Sequence, residues 1–492
     1  MCQPLGRYRL TPISGLWKSF RLIPIPQKKG VPRSNFGKWI LRITRAHTQV
    51  YTTGIKMKVM KFGGTSVGTP QRMKNVTELV AAETPAIVVL SAMSGTTNSL
   101  LHIAALLESG QAAEAAAEVG RLEAKYREVA DTLLSDEALL REAHERLSHL
   151  FAALRVHLVA PRPGRTEKEI VAYGERLSTN LVYLYMKERG IDVVLLDAPG
   201  FMRTGADGEP DQDFISSRLS AILEVDPGHD VYLTQGFICR DHKGEIHNLQ
   251  RGGSDYSASL IGTAIGAEEI QIWTDIDGMH NNDPRFVDNT APVDELHFDE
   301  AAELAYFGAK ILHPTCVLPA KSANIPVRLL NTMEPHAKGT VIYNAPSEHR
   351  IKAVAAKDSI TAIKIKSSHM LLAYGFLCRI FEIFEKYRTP IDMITTSEVG
   401  VSVTIDNLSH LDEIVAELSE LGSVSVDRDM AIVCVVGDLQ WENRGFEAAV
   451  VNALRDIPVR MISYGGSNYN ISLLIREADK VEALRALSKY LF

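Results

Sequence analysis

From residue 57 onward, short apolar runs alternate with helical patterns, and few architectures accept that rhythm. The runs at 58–62 (KVMKF), 86–90 (AIVVL), 191–196 (IDVVLL), 230–237 (DVYLTQGF) and 269–278 (EIQIWTDIDG) have strand length. AIVVL shows no polar alternation, as expected of a strand covered on both faces. Helical patterns fill the gaps: 70–83 with Pro70 in its first turn, 96–110 with Gly110 beyond its end, and 174–190. Residues 111–158 are rich in Ala, Glu, Leu and Arg and carry no strand signal, so a helical insertion is expected there. Such alternation implies an α/β chain whose mainly parallel sheet is sandwiched by helices.

After about residue 350 the pattern changes to an internal repeat. The segment 389–405 (TPIDMITTSEVGVSVTI) aligns with 457–475 (IPVRMISYGGSNYNISLLI), matching Pro390 to Pro458, Met393 to Met461 and Ile394 to Ile462. An amphipathic helix precedes each copy, at 375–388 and at 444–456. Two βαββ modules are expected. The resulting division is 1–56 as an extension outside the fold, 57–345 as the catalytic domain, 346–428 as the first module and 429–492 as the second.

Charge narrows the function classes. Residues 1–56 hold 11 of the 53 Lys/Arg and no Asp or Glu, leaving 42 basic against 60 acidic side chains in the rest. An acidic body argues against nucleic-acid binding. No apolar run is long enough to span a bilayer. The five cysteines are scattered without a C-x-x-C pair, which fits a reducing compartment. A cytoplasmic protein is expected, with an organelle transit peptide at 1–56 as the alternative to an upstream extension preceding Met57.

Three loops carry the chemistry, each at the C-terminal end of an expected strand, where open α/β sheets bind ligands. In Lys61-Phe62-Gly63-Gly64-Thr65-Ser66 the glycines let backbone N–H groups approach an anion and the lysine adds charge; a plain tight turn is the alternative. In Arg251-Gly252-Gly253-Ser254-Asp255, followed by a helix expected from Tyr256, the charged residues suit an anionic substrate and its phosphates or a metal. Simple N-capping by Ser254 or Asp255 is the competing reading. Trp273-Thr274-Asp275-Ile276-Asp277-Gly278, Asn282-Asp283-Pro284-Arg285 and 308–314 (GAKILHP) suit nucleotide contacts, with Arg285 and Lys310 as cations for phosphates. Walker A and protein-kinase signatures are absent.

Taken together, K-F-G-G-T-S-V, S-A-M-S-G-T-T-N, G-E-R-L-S, R-G-G-S-D-Y, W-T-D-I-D-G, D-P-R and G-A-K-I-L-H-P stand in an order that resembles the aspartokinase family. The resemblance covers roughly 57–490 apart from the helical insertion. It implies an amino acid kinase fold followed by two ACT modules, and transfer of the ATP γ-phosphoryl group to the side chain of L-aspartate. ATP and Mg²⁺ are the implied cofactors, with the metal carried by the nucleotide and no direct protein ligand. Lys61 would touch the transferring phosphate and Asp255 orient Lys61 or hydrated metal. Gly63 and Gly64 would donate to the nucleotide, with Thr274, Asp275, Lys310 and Ile311 on the nucleotide side. Arg285 would lie near the phosphates, and His280 near the adenine, where relatives often have tyrosine. Aspartate would be held by Thr97, Ser254, Glu175 through its ammonium and Arg251 through its α-carboxylate.

The segment 370–399 resembles the ACT module of lysine-sensitive aspartokinases, which implies L-lysine as inhibitor, contacted by Met370, Gly375, Asp392, Ser397, Glu398 and Val399. Arg460 replaces Asp392 in the second copy, so only the first is expected to take a cationic amino acid. ACT modules pair, implying a homodimer or tetramer. With no homoserine dehydrogenase segment after residue 492, the monofunctional form is expected. Two other readings are an amino acid kinase for another acidic substrate and an inactive amino-acid-sensing subunit. The R-G-G-S-D-Y loop and the tandem modules oppose the first. The second would lack Lys61, Glu175, Arg251 or Asp255, and all are present.

Overall fold

The computed structural model describes residues 57–162, 164–249, 252–308, 313–345, 350–367 and 374–492. The basic extension 1–56 and the expected site residues Arg251, Lys310, Ile311 and Met370 lie outside the described residues.

The chain enters at β1 (Lys58–Phe62), α1 (Pro70–Ala81), β2 (Ala86–Leu90) and α2 (Thr96–Glu108). Next comes a long helical hairpin, α3 (Ala112–Leu133) and α4 (Glu137–Val159), in the place of the expected insertion. Then follow α5 (Thr166–Val171), α6 (Tyr173–Glu188), β3 (Val193–Leu196), α7 (Gln212–Val225), β4 (Val231–Gln235), β5 (Ile238–Arg240), β6 (Ile246–Asn248), α8 (Gly253–Ile265) and β7 (Ile270–Thr274). The first part closes with β8 (Glu295–His297), α9 (Phe298–Tyr306), α10 (Pro314–Ala323), β9 (Val327–Asn331) and β10 (Thr340–Tyr343).

Eight of these strands form one sheet in the order β3-β4-β2-β1-β7-β9-β10-β8. It is parallel from β3 to β9; β10 runs antiparallel to β9 and parallel to β8. Successive side chains of a strand face opposite sides. Val59, Ile87 and Val89 therefore enter one apolar core, and Met60, Val88 and Leu90 the other. Every residue of β2 is buried, as its unbroken apolar run requires.

The C-terminal part contains β11 (Ile351–Lys366), α11 (Phe376–Lys386), β12 (Ile394–Ser397), β13 (Gly400–Ile405), α12 (Leu411–Ser419), β14 (Ser423–Gly437), α13 (Phe446–Ala453), β15 (Met461–Ser463), β16 (Asn470–Arg476) and α14 (Lys480–Leu491). They build a six-stranded sheet, β12-β13-β11-β14-β16-β15. Here the expected sequential division needs correction. Residues 351–357 pair with 432–437, and Val354 shares a core with Val433, Val435 and Leu473 of the second repeat. Residues 361–366 instead pair with β13, and Ile363 and Ile365 pack on Phe376 and Ile380. The first module is thus nested inside the second, and β11 and β14 each serve both. Both strands break register between the halves, where Ser359 and Asp429 adopt φ of 59° and 57°.

The two parts share a core. Ala353, Met393, Met430, Ile432 and Leu474 belong to the cluster that also holds Val59, Leu304 and Phe307. Polar ties reinforce it: Asn282 Nδ2 donates to Leu484 O at 2.9 Å, and the His297 and Tyr469 rings stack 5.1 Å apart.

Candidate active site

The C-terminal ends of β1, β2 and β4 converge. Ser91 N–H donates to Phe62 O and Gly236 N–H to Leu90 O, so the loops leaving these strands lie side by side. They surround a cavity of about 340 Å³ lined by Lys61, Gly64, Ser91–Gly95, Thr97, Glu175, Phe237 and Gly252–Asp255. Six residues singled out from the sequence therefore meet at one place: Lys61, Gly64, Thr97, Glu175, Ser254 and Asp255.

Lys61, the fourth residue of β1, is 8% exposed. Its Nζ stands 2.6 Å from Asp255 Oδ1, an ion pair lying off the line of a hydrogen bond. Asp255 can make this approach because α8 starts at Gly253, not at Tyr256 as the sequence suggested. The N-cap is Gly252, in left-handed conformation at φ 74°, and no side chain caps the helix. The competing capping role for Ser254 and Asp255 is thereby removed. A Cβ on residue 252 would lie 2.6 Å from His313 Cβ and 2.8 Å from Cys316 Sγ, so space and backbone angle both demand glycine.

Glu175 sits in the first turn of α6, 5% exposed. Its Oε1 accepts from Ala92 N–H at 3.2 Å, while the buried Oε2 has no hydrogen-bond partner. Burial pushes its pKa up to about 7, only partly opposed by the hydrogen bond from Ala92 and the charge of Lys61. A buried carboxylate with one free oxygen at a cavity wall is a receptor for a cation.

The nucleotide-side residues divide. Gly63 N–H donates to Trp273 O at 3.1 Å, which places Thr274 and Asp275 next to the glycine pair, though neither lines the cavity. Thr274 Oγ1 donates to Asp275 Oδ1 at 3.1 Å. His280 bridges Asp277 Oδ1 (2.7 Å) and Thr290 Oγ1 (2.9 Å). Arg285 lies outside the residues that line the cavity. Its exposed guanidinium is clamped on Asp283 at 2.6 Å and lies over the Phe286 ring, which packs on the C-terminal core.

At the regulatory end, Gly375 caps α11 as expected. Ser397, Glu398 and Val399 form the exposed β12–β13 turn. Asp392 lies two residues before β12, its side chain 1% exposed. Its Oδ1 accepts from Lys357 Nζ (2.7 Å) and from the Tyr306 hydroxyl (2.8 Å), while Oδ2 is buried without a partner. Lys357 also pairs with Asp406 at 3.0 Å; burial opposes its charge, but the two carboxylates outweigh that and raise its pKa. Sequence reasoning missed Lys357 and Tyr306, since both sit in patterns that read as ordinary strand and helix. The Arg460 counterpart in the second copy pairs with Asp427 at 2.9 Å.

Comparison with known proteins agrees with this geometry. The profile of the amino acid kinase family matches residues 56–331, and that of an ACT domain matches 433–491. The chain is 35% identical to aspartokinase 1, chloroplastic, of Arabidopsis thaliana over 473 residues, covering 91% of this chain and 82% of that protein. It is 34% identical to the lysine-sensitive aspartokinase 3 of Escherichia coli, covering 88% and 99%. Among solved structures, Escherichia coli aspartokinase III in complex with aspartate and ADP (R-state) superposes with a TM-score of 0.78 at 32% identity, covering 89% of this chain and 100% of that one. The same enzyme in complex with lysine and aspartate (T-state) gives 0.73 at 33%, covering 89% and 99%. A fold, a charged cavity and relatives that agree over nearly the whole described length lead to one conclusion: the chain belongs to the aspartokinase family.

Proposed function

We infer that the chain is an aspartate kinase, converting ATP and L-aspartate to ADP and 4-phospho-L-aspartate and restrained by L-lysine. The observation that carries this reading is the convergence of the Lys61–Asp255 pair and the free oxygen of Glu175 on one cavity. Glu175 receives the substrate ammonium. Thr97 and Ser254 line the path of its carboxylates, and Arg251, next in sequence to Gly252, takes the α-carboxylate. The acceptor carboxylate has an ordinary pKa near ~4, so it is already ionised at neutral pH and needs no base. The task is to bring two anions together, which positioning and positive charge accomplish. Lys61, held by Asp255, faces the transferring phosphate, and the Gly63–Gly64 backbone approaches the nucleotide.

Among the described residues no three His, Cys, Asp or Glu side chains gather to hold a metal. A nucleotide-borne Mg²⁺ would neutralise phosphate charge, with Asp255 near its water shell. No helix among the described residues is long and apolar enough to cross a membrane. Purified protein given ATP, Mg²⁺, aspartate and hydroxylamine should form aspartyl hydroxamate; none formed from aspartate would refute the activity.

The elevated pKa of Glu175 gives a pH signature. Only its ionised form can pair with an ammonium. Below about pH 7 the empty site holds a proton that substrate must displace, so KM for aspartate should climb toward about tenfold per pH unit as pH falls, and level off above it. A KM for aspartate flat from weakly acid to weakly alkaline pH would contradict the assignment; KM for ATP serves as the internal control.

Lysine restraint draws on the first module. Asp392 lies two residues before β12, and Ser397–Val399 form the turn that follows it. In this reading the chain pairs with a second copy through these modules as a homodimer.

A further inference from the structure

The helical hairpin α3–α4, which the family resemblance left aside, delivers a side chain to the wall of the acceptor cavity. Tyr126 of α3 is fully buried, its ring edge-on to Phe151 of α4 with centroids 6.2 Å apart. Its hydroxyl lies 2.9 Å from Thr96 Oγ1, also fully buried. Thr96 opens α2; the residue before it, Gly95, provides no side-chain cap. Thr96 N–H donates to Met93 O at 2.9 Å. The residues on either side of this anchor, Met93–Gly95 and Thr97, line the cavity. At the other end of the same stretch, Glu175 holds Ala92 N–H. The cavity wall from 91 to 97 is thus held by side chains of two helices: from α6, Glu175 accepts from Ala92 N–H and Ser178 Oγ donates to Ser91 O at 2.8 Å, and from α3, the buried Tyr126 hydroxyl meets Thr96 while the exposed Lys125 Nζ reaches Ser94 O at 3.4 Å.

Packing alone does not call for that hydroxyl. A phenylalanine would fill the same core volume, and a buried phenol without a partner is costly. Tyr126 also lies near enough to Glu175 for that carboxylate to add to the burial that raises its own pKa.

We propose that Tyr126 is a positioning residue for the amino-acid acceptor: through Thr96 it fixes the start of α2, and so the place where Thr97 and the 91–95 turn meet the substrate. The proposal rests on the reading of this cavity as the aspartate site. Among the described residues no hydrogen bond joins α3 to β1 or β7, the strands that build the nucleotide side, so the effect should fall on one substrate only.

The test is steady-state kinetics on the full chain with Tyr126→Phe, Thr96→Val and the double variant, varying aspartate and ATP separately. Tyr126→Phe leaves the Thr96 hydroxyl unpaired and should raise KM for aspartate about fivefold to tenfold, with kcat and KM for ATP within about twofold. Thr96→Val should do the same, and the double variant should be no worse than either single change, because both hydroxyls are then gone. An unchanged KM for aspartate in Tyr126→Phe would overturn the proposal. So would a parallel loss in kcat and both KM values that tracks a lowered melting temperature, which marks packing alone. A wild-type protein inert toward aspartate removes the aspartate reading itself, and the wild-type control separates that case from the others.

Discussion

Glu175→Gln is expected to yield a more stable protein that has all but lost aspartate. In the empty site the Glu175 carboxyl titrates near about 7 against an ordinary value of 4.5, because burial disfavours its charge. A folded pKa above the unfolded one means that stability falls as pH rises from the lower value to the higher. The full difference corresponds to about 3 kcal/mol, complete above pH 7 and absent below about pH 4.5. Glutamine keeps the acceptor for Ala92 N–H and removes the charge, although its amide nitrogen then occupies the position of Oε2, which has no partner, and that trims the gain. Denaturant unfolding should therefore show the variant ahead by roughly 1–3 kcal/mol at pH 8 and level with wild type near pH 4.5. The same charge is what the substrate ammonium needs. Removing one partner of a buried ion pair costs about 3–5 kcal/mol, so kcat/KM for aspartate should drop by on the order of 10² to 10³ while KM for ATP holds. A variant less stable at pH 8 with an unaltered KM for aspartate would show Glu175 to be no more than a strut for residue 92.

Local physics explains why much of this was readable. A strand buried on both faces has no choice but to be apolar throughout, so β2 announces itself, and with it the parallel sheet. A loop that must come close to an anion is glycine-rich, so Lys61-Phe62-Gly63-Gly64 and Gly252-Gly253 marked the cavity. What stayed hidden depends on contacts distant in sequence or on backbone geometry. The start of α8 was misplaced because Gly252 caps by conformation and leaves no side-chain signal. The nested modules were read as consecutive because 351–357 carries the same apolar strand pattern whichever repeat it joins; only its pairing with 432–437 decides. Tyr126 follows Val119 and Leu122 and precedes Val129 and Leu133 at heptad spacing, so nothing but the direction of its hydroxyl distinguishes it from core.

Asp392→Asn is expected to free the enzyme from lysine while leaving its uninhibited rate near wild type. Asp392 lies in the regulatory part, apart from the cavity, yet its Oδ1 is bonded by Tyr306, the last residue of α9 in the catalytic part, and by Lys357 at the bend of β11. The protein thus places a lysine ammonium of its own on the residue expected to recognise the effector. Oδ2, buried and without a partner, is the atom left for the incoming ammonium. One carboxylate would then touch effector and catalytic part together, and a change at Oδ2 is felt at Tyr306, two residues before Gly308 and the segment 309–312 expected on the nucleotide side. Loss of the charge should raise the half-inhibitory lysine concentration by about 100-fold or more. Tyr306→Phe separates recognition from transmission: calorimetry should show lysine still binding, while inhibition at saturating lysine becomes incomplete. If Asp392→Asn instead silences the enzyme in the absence of lysine, the cluster serves to hold the two parts together, and lysine must be read elsewhere on the module.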